Sequence, residues 1–520
     1  MANVVPFVNE PVLNAADPDV RRRFAEALAR AEGRFGEAIP LVVGGERVTT
    51  AKQGRSLNPC APEQVVCTFS QAGEADVQRA VAAAERAFAT WRWVAWEERA
   101  AVLLRAAEIL RRRRYDFDAL LTLEAGKTFA EAEAEMAEAI DFCDFYAREA
   151  LRWGGPQPLT PLRGEMNELH YIPLGPGVVI PPWNFPLAIL GGMAAAAIVA
   201  GNTVVLKPSS DTVRIGWAFF EALEEAGVPP GVVSFVPGPG AVAGEAAARA
   251  AAVRFISFTG SKAVGLRLAQ VAAEVQPGQR GVKRVILEMG GKDFIVVDES
   301  ADLDAAAAAV VASAFGFQGQ KCSACSRAIV HARVYDEVLE RVTAGTKALR
   351  IGPAKDLEVN VAAVINESAM KSILGYVEVG RGEGRVAAGG ARAAAAGSGW
   401  FVEPTVIEGV DPRARIACEE IFGPVLAVLR ADTFERSLEM ANDTEYGLTG
   451  SFFGRDRARV ETAKKALHAG NLYVNRKCTG ALVGVHPFGG FDMSGTDSKA
   501  GGRDYLGLFT QAKLVSEKLG

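Results

Sequence analysis

The sequence predicts an α/β protein built on parallel sheets that helices cover on both faces. Short apolar runs of strand length recur from residue 177 onward: GVVI, TVVL, VVSFV, RFISF and RVILE. Several of these runs are followed by an Ala- or Leu-rich helical stretch, and this alternation is typical of a doubly covered sheet. With 520 residues, the chain is also long enough for two or three domains, each with its own core.

The overall composition narrows the class of protein. The net charge of -5 gives no basic field that would attract nucleic acid or an anionic membrane. Seven sparse cysteines and the absence of a visible secretory signal predict reduced thiols in the cytoplasm. One uncharged stretch, 177–206, has the length of a membrane span, but three prolines and a Gly-Asn pair divide it into shorter pieces.

The first 150 residues are predicted to be mostly helical. The stretch DVQRAVAAAERAFATW places Val77, Val81, Ala84 and Phe88 on one helix face. A helical pair broken at Gly126 is predicted to follow it. We expect 1–150 to attach to a dinucleotide-binding domain at 171–289.

The loops after the predicted strands of this domain are PPWNFP, KPSSD, PGPGAVAG, TGSKAVG and MGG. In parallel sheets the carboxyl ends of the strands form the binding crevice. Lys207 follows TVVL, where an ammonium can bind ribose or phosphate oxygens. Gly240 and Gly244 let the backbone approach a pyrophosphate, although a plain turn explains that loop equally well. The small residues of the next loop offer free N–H groups ahead of a helix: Thr259, Gly260 and Ser261.

A second series of strands and helices predicts a catalytic domain at 290–480. It starts at DFIVVDE and continues through SRAIVH and YDEVLERVTAGTKAL to PTVIEGV. The flanking segments 151–170 and 498–520 are polar and too short to be domains. We expect them to be oligomerisation arms.

Within the second domain, FQGQKCSACSR contains Cys322 and Cys325. Such a pair has four interpretations: a redox couple, half of a metal site, a nucleophile with a bystander, or two core residues. A catalytic thiol needs a base, and none of the four histidines lies in an obvious catalytic turn. Glu288 ends the strand RVILE between apolar residues and a Gly pair, where poor solvation raises a carboxyl pKa into the range of a general base. An ion-paired structural Glu is the alternative.

Seven motifs, in order along about three hundred residues, resemble the NAD(P)-dependent aldehyde dehydrogenase family. They are PWNFP (182–186), KPSSD (207–211), FTGS (258–261), LEMGGKD (287–293), GQKC (319–322), EEIFGPV (419–425) and HPFGGFDMSG (486–495). The resemblance implies a Rossmann-like cofactor domain, an α/β catalytic domain and a small β oligomerisation arm, assembled as a homo-oligomer, a dimer or an assembly of dimers.

Within the family, the sequence is most similar to members that oxidise L-glutamate γ-semialdehyde to L-glutamate in proline degradation. This substrate is in equilibrium with Δ1-pyrroline-5-carboxylate. The markers are the long N-terminus, FQGQKCSACSR and NRKCTGALVGVHPFGG. The alternatives are another semialdehyde or aliphatic aldehyde, a cofactor-free thiol acyltransferase or hydrolase, and a non-catalytic scaffold.

The resemblance also implies catalytic roles. Cys322 is the nucleophile, Asn184 and the Cys322 N–H hold the oxyanion, and Glu288 activates the water that hydrolyses the thioester. Cys325 falls where the family has no catalytic requirement, which favours a packing role. No second Cys pair completes a zinc site, so no metal is expected.

For the cofactor, the resemblance implies NAD. It places Lys207 on the adenine ribose, and it assigns the remaining contacts to Ile180, Pro182, Trp183, Ser209, Gly240, Gly244, Thr259, Gly260, Ser261, Glu420 and Phe422. Strictly NAD-preferring members often carry Glu where this chain has Ser210, so we expect NADP to be tolerated.

For the substrate, the resemblance implies an α-carboxylate anchor formed by Ser323 and the N–H groups of Gly480 and Ala481. A merely flexible turn is the alternative for the stretch TGALVG. The expected contacts to the rest of the substrate are Phe185 and Phe488 along the aliphatic chain and Glu138 near the ammonium.

Overall fold

The computed structural model describes residues 6–393 and 397–519, and this part of the chain begins with one helix and five short strands. They are α1 (Pro18–Glu32), β1 (Glu37–Ile39), β2 (Leu41–Val43), β3 (Glu46–Val48), β4 (Gln53–Asn58) and β5 (Ala61–Ser70). The prediction that 1–150 is mostly helical is therefore wrong for 37–70. Strands β1 to β3 have three residues each, which is too short to show a periodic pattern, and β2 pairs with the distant strand β9. Strands β4 and β5 are longer and pair with each other.

Four long helices follow: α2 (Glu74–Trp91), α3 (Trp96–Arg112), α4 (Arg114–Ala125) and α5 (Phe129–Trp153). The predicted helix face of α2 is confirmed, because Val77, Val81 and Ala84 are buried and Phe88 is half-buried. The predicted break is also confirmed: Gly126 ends α4 with a left-handed φ of 70°.

The first large sheet follows the strand β6 (Glu165–Pro173). Its later elements are β7 (Pro176–Ile180), α6 (Ala188–Val199), β8 (Thr203–Leu206), α7 (Val213–Glu225), β9 (Val233–Phe235), α8 (Glu245–Arg249), β10 (Phe255–Thr259), α9 (Lys262–Ala273) and β11 (Arg284–Glu288). The strand order is β11-β10-β7-β8-β9-β2-β3, and the strands from β11 to β9 are parallel. The predicted α/β class is confirmed. The chain places β8 on one side of β7 and β10 on the other, so the binding crevice is expected between β7 and β10.

The second large sheet has the order β14-β15-β16-β13-β12-β18-β19. The elements of this part are β12 (Phe294–Val297), α10 (Leu303–Phe315), β13 (Arg327–His331), α11 (Tyr335–Lys347), α12 (Glu367–Glu383), β14 (Arg385–Ala388), β15 (Thr405–Glu408), α13 (Arg415–Cys418), β16 (Val425–Ala431), α14 (Phe434–Asn442), β17 (Tyr446–Gly447), β18 (Thr449–Phe453), α15 (Arg457–Ala466), β19 (Asn471–Val474) and β20 (Phe491–Asp492). Only the edge strand β14 is antiparallel to its neighbour.

The link MGGKD, residues 289–293, joins the carboxyl end of β11 to the amino end of β12. The carboxyl edge of the first sheet therefore meets the amino edge of the second sheet. The loops of both edges converge at this junction, and it is where the chemistry-bearing side chains are found.

A two-stranded arm is formed by β6 and β21 (Thr510–Lys518), which pair antiparallel over their whole length. The predicted arm boundaries need correction, because 498–509 lies in the body of the protein. Tyr505, Leu506 and Phe509 are buried there in the apolar core that packs against the first sheet. Burial of apolar side chains of this size is favourable, and a two-stranded arm is too thin to bury them. The domain boundaries and the oligomerisation role stay predictions. Among the described residues, no helix combines the length and the apolar character that crossing a membrane requires.

Candidate active site

A cavity of about 870 Å³ lies at the junction of the two sheets. The structure brings together in its wall every residue predicted to contact the cofactor: Ile180, Pro182, Trp183, Lys207, Ser209, Ser210, Gly240, Gly244, Thr259, Gly260, Ser261, Glu420 and Phe422. The predicted nucleophile Cys322 and the predicted oxyanion donor Asn184 line the same cavity.

One end of the cavity is marked by a buried cation. Lys207 follows β8, and its Nζ donates to the Pro208 carbonyl at 3.0 Å. Burial lowers the pKa of Lys207 to about 8. Gly244 lies over its aliphatic stem, where an added Cβ would be 3.6 Å from Cδ, whereas a Cβ on Gly240 would meet open space. The glycine loop therefore leaves room for a ligand to approach the backbone beside this ammonium.

The other end of the cavity carries a carboxylate and aromatic rings. Glu420 Oε1 accepts a hydrogen bond from the Gly291 N–H at 3.1 Å. A Cβ on Gly290 would lie 2.3 Å from Glu420 Oε2, so any other residue there would displace this carboxylate. Phe422 adopts a left-handed φ of 56°, and its ring meets that of Trp183 edge-on at 5.5 Å. A cation for ribose or phosphate oxygens at one end and a carboxylate for ribose hydroxyls at the other fit a dinucleotide.

The loop before Cys322 is held in an unusual backbone conformation. Phe317, Gln318 and Gly319 have φ values of 50°, 57° and 67°, a left-handed run that costs free energy at the two non-glycine positions. The Gln318 amide donates to the carbonyls of Gly126 at 3.0 Å and Ala363 at 2.8 Å. These contacts fix the loop between α10 and Cys322, which favours a functional role for the strain.

Cys322 and Asn184 come from different sheets and are joined through this loop. The buried Asn184 donates from Nδ2 to the Gln320 carbonyl at 2.9 Å, which leaves its second amide hydrogen for a ligand. Burial raises the pKa of the Cys322 thiol, and the carboxylates of Asp293 and Glu288 add to the effect. These effects favour the protonated thiol, whose proton has to leave before the sulfur can attack.

Cys325 lies among core residues of the second sheet and is 1% exposed. Its N–H donates to the Ser313 carbonyl at 3.1 Å, and its thiol donates to the Arg327 carbonyl at 3.5 Å. Both Cys322 and Cys325 are free thiols. Of the four interpretations of the pair, this arrangement favours a nucleophile next to a packing residue.

Glu288 ends β11, as the sequence predicted, and is half-buried. Its Oε1 accepts hydrogen bonds from Ser498 Oγ at 2.6 Å and from the Ser498 N–H at 3.3 Å. Burial raises the pKa of Glu288 to about 7, and the Ser498 hydrogen bonds and Lys499 offset part of the increase. No Lys or Arg within 6–393 or 397–519 forms an ion pair with Glu288, so the alternative of an ion-paired structural Glu finds no support.

The predicted carboxylate anchor is a turn with exposed backbone donors. Gly480 has a φ of 79°, and the Arg476 guanidinium donates to the carbonyls of Thr479 and Gly480, both at 3.0 Å. Within the part of the chain that the structure describes, the N–H groups of Gly480 and Ala481 have no hydrogen-bond partner. Two successive unpaired N–H groups in such a turn are suited to bind an anion.

The other predicted substrate residues are held less directly. Glu138 on α5 is half-buried, and burial, followed by Glu135, raises its pKa to about 8. The ring of Phe185 lies 4.1 Å from Lys127 Nζ. Phe488 is half-buried in a loop whose backbone pairs with Ala500.

A buried ion pair behind this region was missed in the sequence. Lys127 Nζ lies 3.0 Å from Glu135 Oε2, and both side chains are fully buried. The other Glu135 oxygen accepts the N–H groups of Leu187 and Ala188 at 2.8 and 3.0 Å, at the start of α6. The pair thus supports the loop that carries Asn184. A lysine directly after the helix break at Gly126 was the only local signal.

The aldehyde dehydrogenase family model matches residues 48–515. The chain is 51% identical to a 1-pyrroline-5-carboxylate dehydrogenase of Geobacillus sp. (strain WCH70), over 99% of both chains. It is 50% identical to 1-pyrroline-5-carboxylate dehydrogenase 2 of Bacillus subtilis (strain 168), over 98% of this chain and 99% of that one. A solved 1-pyrroline-5-carboxylate dehydrogenase from Thermus with bound NAD superposes with a TM-score of 0.98 at 49% identity, covering 99% of this chain and 100% of that one. The chain therefore belongs to the aldehyde dehydrogenase family.

Proposed function

We propose that this protein oxidises L-glutamate γ-semialdehyde, the open form of Δ1-pyrroline-5-carboxylate, to L-glutamate with reduction of NAD in proline degradation. The observation that carries the proposal is the pair of unpartnered N–H groups at Gly480 and Ala481. The thiol of Cys478 donates to the Ser323 carbonyl at 3.5 Å, so this anion nest lies against the nucleophile loop. The names of the relatives described above agree with this substrate.

The positions of Cys322, Asn184 and Glu288 support the following reaction. The Cys322 thiol gives its proton to solvent, and the sulfur bonds to the aldehyde carbon while the carbonyl π bond opens to an oxyanion. The free Asn184 amide hydrogen and the Cys322 N–H hold this oxyanion. A bound NAD supplies the acceptor for the hydride that leaves this carbon. Glu288 then takes a proton from water, whose oxygen attacks the thioester and releases the acid and the thiol.

We further propose that NAD is the main cofactor and that NADP is accepted. Ser210 is a small neutral residue in the cavity wall and cannot repel a 2′-phosphate. The Asp211 carboxylate lies in the same wall, with Oδ1 3.3 Å from Asn366 Nδ2. Its negative charge weakens the binding of the 2′-phosphate of NADP without excluding it. We expect a preference for NAD of less than about 10³ in kcat/KM, or ~4 kcal/mol.

In the same proposal the protein works in the cytoplasm as a homo-oligomer, a dimer or an assembly of dimers. The β6–β21 arm supports an assembly, because it leaves large apolar side chains exposed: Met166 at 47%, Leu514 at 61% and Val515 at 41%. Met166 and Val515 lie on one face of the arm and Leu514 on the other. Exposed apolar side chains on a two-stranded arm favour contact with another subunit.

Steady-state kinetics test the proposal. NADH formation is followed at 340 nm with L-glutamate γ-semialdehyde and with propanal, each with NAD and NADP. We expect kcat/KM for the semialdehyde to exceed that for propanal by at least about tenfold, because only the semialdehyde carries the carboxylate that the nest binds. Equal values for the two aldehydes would contradict the substrate assignment and leave the aldehyde dehydrogenase activity itself intact.

A further inference from the structure

The segment between the HPFGG motif and the arm returns to the first sheet at the end of β11. Gly495 forms a β-bridge with Glu288. The N–H of Met289 donates to the Ser494 carbonyl at 2.7 Å, and the N–H of Thr496 donates to the Leu287 carbonyl at 2.9 Å. The segment is therefore tied to the backbone on both sides of Glu288, and its side chains have fixed positions relative to the Glu288 carboxylate.

The turn that follows is strained at both residues that flank Ser498. Asp497 and Lys499 have left-handed φ values of 52° and 51°, a conformation that is unfavourable for residues other than glycine. Lys499 Nζ holds the turn by donating to the carbonyls of Gly470 at 2.8 Å and Gly489 at 2.9 Å. Such strain persists only where the surrounding structure imposes it. Here the strained turn orients the Ser498 hydroxyl toward Glu288.

That hydroxyl meets one oxygen of Glu288 and leaves the other oxygen unpaired. Ser498 is 4% exposed, and its Oγ donates to Oε1 at 2.6 Å. Oε2 is buried and has no hydrogen-bond partner among the described residues. One carboxylate oxygen of Glu288 is therefore hydrogen-bonded, and the other has no hydrogen-bond partner.

We propose that Ser498 is a positioning residue for Glu288: its hydroxyl fixes one carboxylate oxygen so that the other is available to accept the proton of the hydrolytic water. The inference rests on the proposed function, because it needs Glu288 as the general base. Ser498 is not among the residues that line the cavity.

The hydrogen bond also determines the pH at which the base works. Three charged or titratable groups face Glu288 from the neighbouring elements: Lys499, Tyr505 and Cys322. Lys499 and the Ser498 hydroxyl favour the ionised carboxylate, whereas burial favours the protonated form. Removal of the hydroxyl therefore raises the pKa of Glu288, and the acid limb of the hydrolytic step moves to higher pH.

The test compares kcat between pH 5.5 and 9.5 for the wild type, Ser498→Ala and Ser498→Thr, with glutamate semialdehyde and propanal in parallel. We expect Ser498→Ala to move the acid limb of the kcat profile upward by about one pH unit. This shift lowers kcat at pH 7 by ~5-fold. The plateau of kcat at high pH and the first-turnover burst of NADH are expected to stay unchanged. Ser498→Thr keeps a hydroxyl and is expected to restore the wild-type limb.

Ser494→Ala is the matched control. Ser494 is a fully buried serine of the same segment, and its Oγ accepts the Gly447 N–H at 3.1 Å without touching the Glu288 carboxylate. An acid limb that stays in place in Ser498→Ala, or one that moves equally in Ser494→Ala, overturns the inference.

A second measurement needs no turnover. The pH midpoint of the Glu288 carboxyl band, identified by infrared difference against Glu288→Gln, is expected to rise in Ser498→Ala by the same amount. If the wild type oxidises neither aldehyde, the proposed function fails, and this midpoint still decides the positioning role. An unchanged midpoint overturns the role of Ser498 even in an active enzyme.

Discussion

Replacement of Asn184 by alanine tests the assignment of the oxyanion donor. The Asn184 amide has two hydrogens, and one of them is already used in the 2.9 Å bond to the Gln320 carbonyl. Only the second hydrogen is free for the substrate oxygen, so Asn184→Ala removes one of the two proposed donors. Removal of one such donor costs on the order of 10²–10³ in kcat, or about 2.7–4 kcal/mol of transition-state stabilisation.

The same substitution also has a cost in stability, which the experiment has to separate. It leaves the Gln320 carbonyl without its partner, at about 1–3 kcal/mol. Asn202→Ala is a matched control, because Asn202 is fully buried and uses its amide for three hydrogen bonds away from the cavity, with Gly175 N–H, Ala197 O and Phe509 O. It is expected to destabilise the fold at least as much as Asn184→Ala does.

The assay combines the NADH burst of the first turnover with thermal unfolding of both variants. We expect Asn184→Ala to slow the burst by ~10²–10³ with little change in the NAD KM, and Asn202→Ala to keep the wild-type burst with a lower unfolding temperature. A burst within about fivefold of wild type in Asn184→Ala, or an equal loss in both variants, would refute the role of Asn184.

Three further predictions concern the nucleophile, the base and the buried ion pair. Cys322→Ala is expected to abolish NADH formation, whereas Cys325→Ala keeps turnover because its thiol only packs in the core; an inactive but folded Cys325→Ala would contradict this. Because the pKa of Glu288 is raised to about 7, kcat is expected to fall about tenfold per pH unit below pH 7, as protonation removes the base; a flat profile down to pH 5.5 would argue against it. Lys127→Met is expected to lower the free energy of unfolding by about 3–5 kcal/mol, because it leaves the Glu135 carboxylate buried without its cation. In denaturant titrations the double variant Lys127→Met/Glu135→Gln should recover part of this loss, and no recovery would show that the charge is not the cause.

Local pattern in the sequence was enough for the parallel strands of the first sheet and for the edge at which the cavity lies. Apolar runs of strand length predicted β7 to β11, and the rule that parallel sheets bind ligands at their carboxyl ends placed Lys207 and the glycine loops correctly in the cavity wall. The strands at 37–70 were missed. Three of them have only three residues and therefore no period of their own, whereas β4 and β5 are longer and pair with each other.

The pair Cys322 and Cys325 illustrates a question that residue chemistry alone does not decide. Residue chemistry alone left four interpretations of Cys322 and Cys325 open. The family resemblance implied that Cys322 is the nucleophile, and the tertiary structure favours this interpretation, since it lines the cavity with Cys322 and buries Cys325 among the apolar side chains of the second sheet. Both cysteines lie in the same loop, and only the path of the backbone decides which thiol meets a ligand.

By itself the sequence determined the α/β class, the binding edge and the residue types available for chemistry, because these depend on periodicity and on side chains close together in the chain. Only the tertiary structure decided which residues support that chemistry. Ser498 meets Glu288 across 210 residues, and Lys127 is paired with a carboxylate that also caps α6. Contacts between distant segments depend on how the two sheets pack, and no local pattern in the chain carries that information.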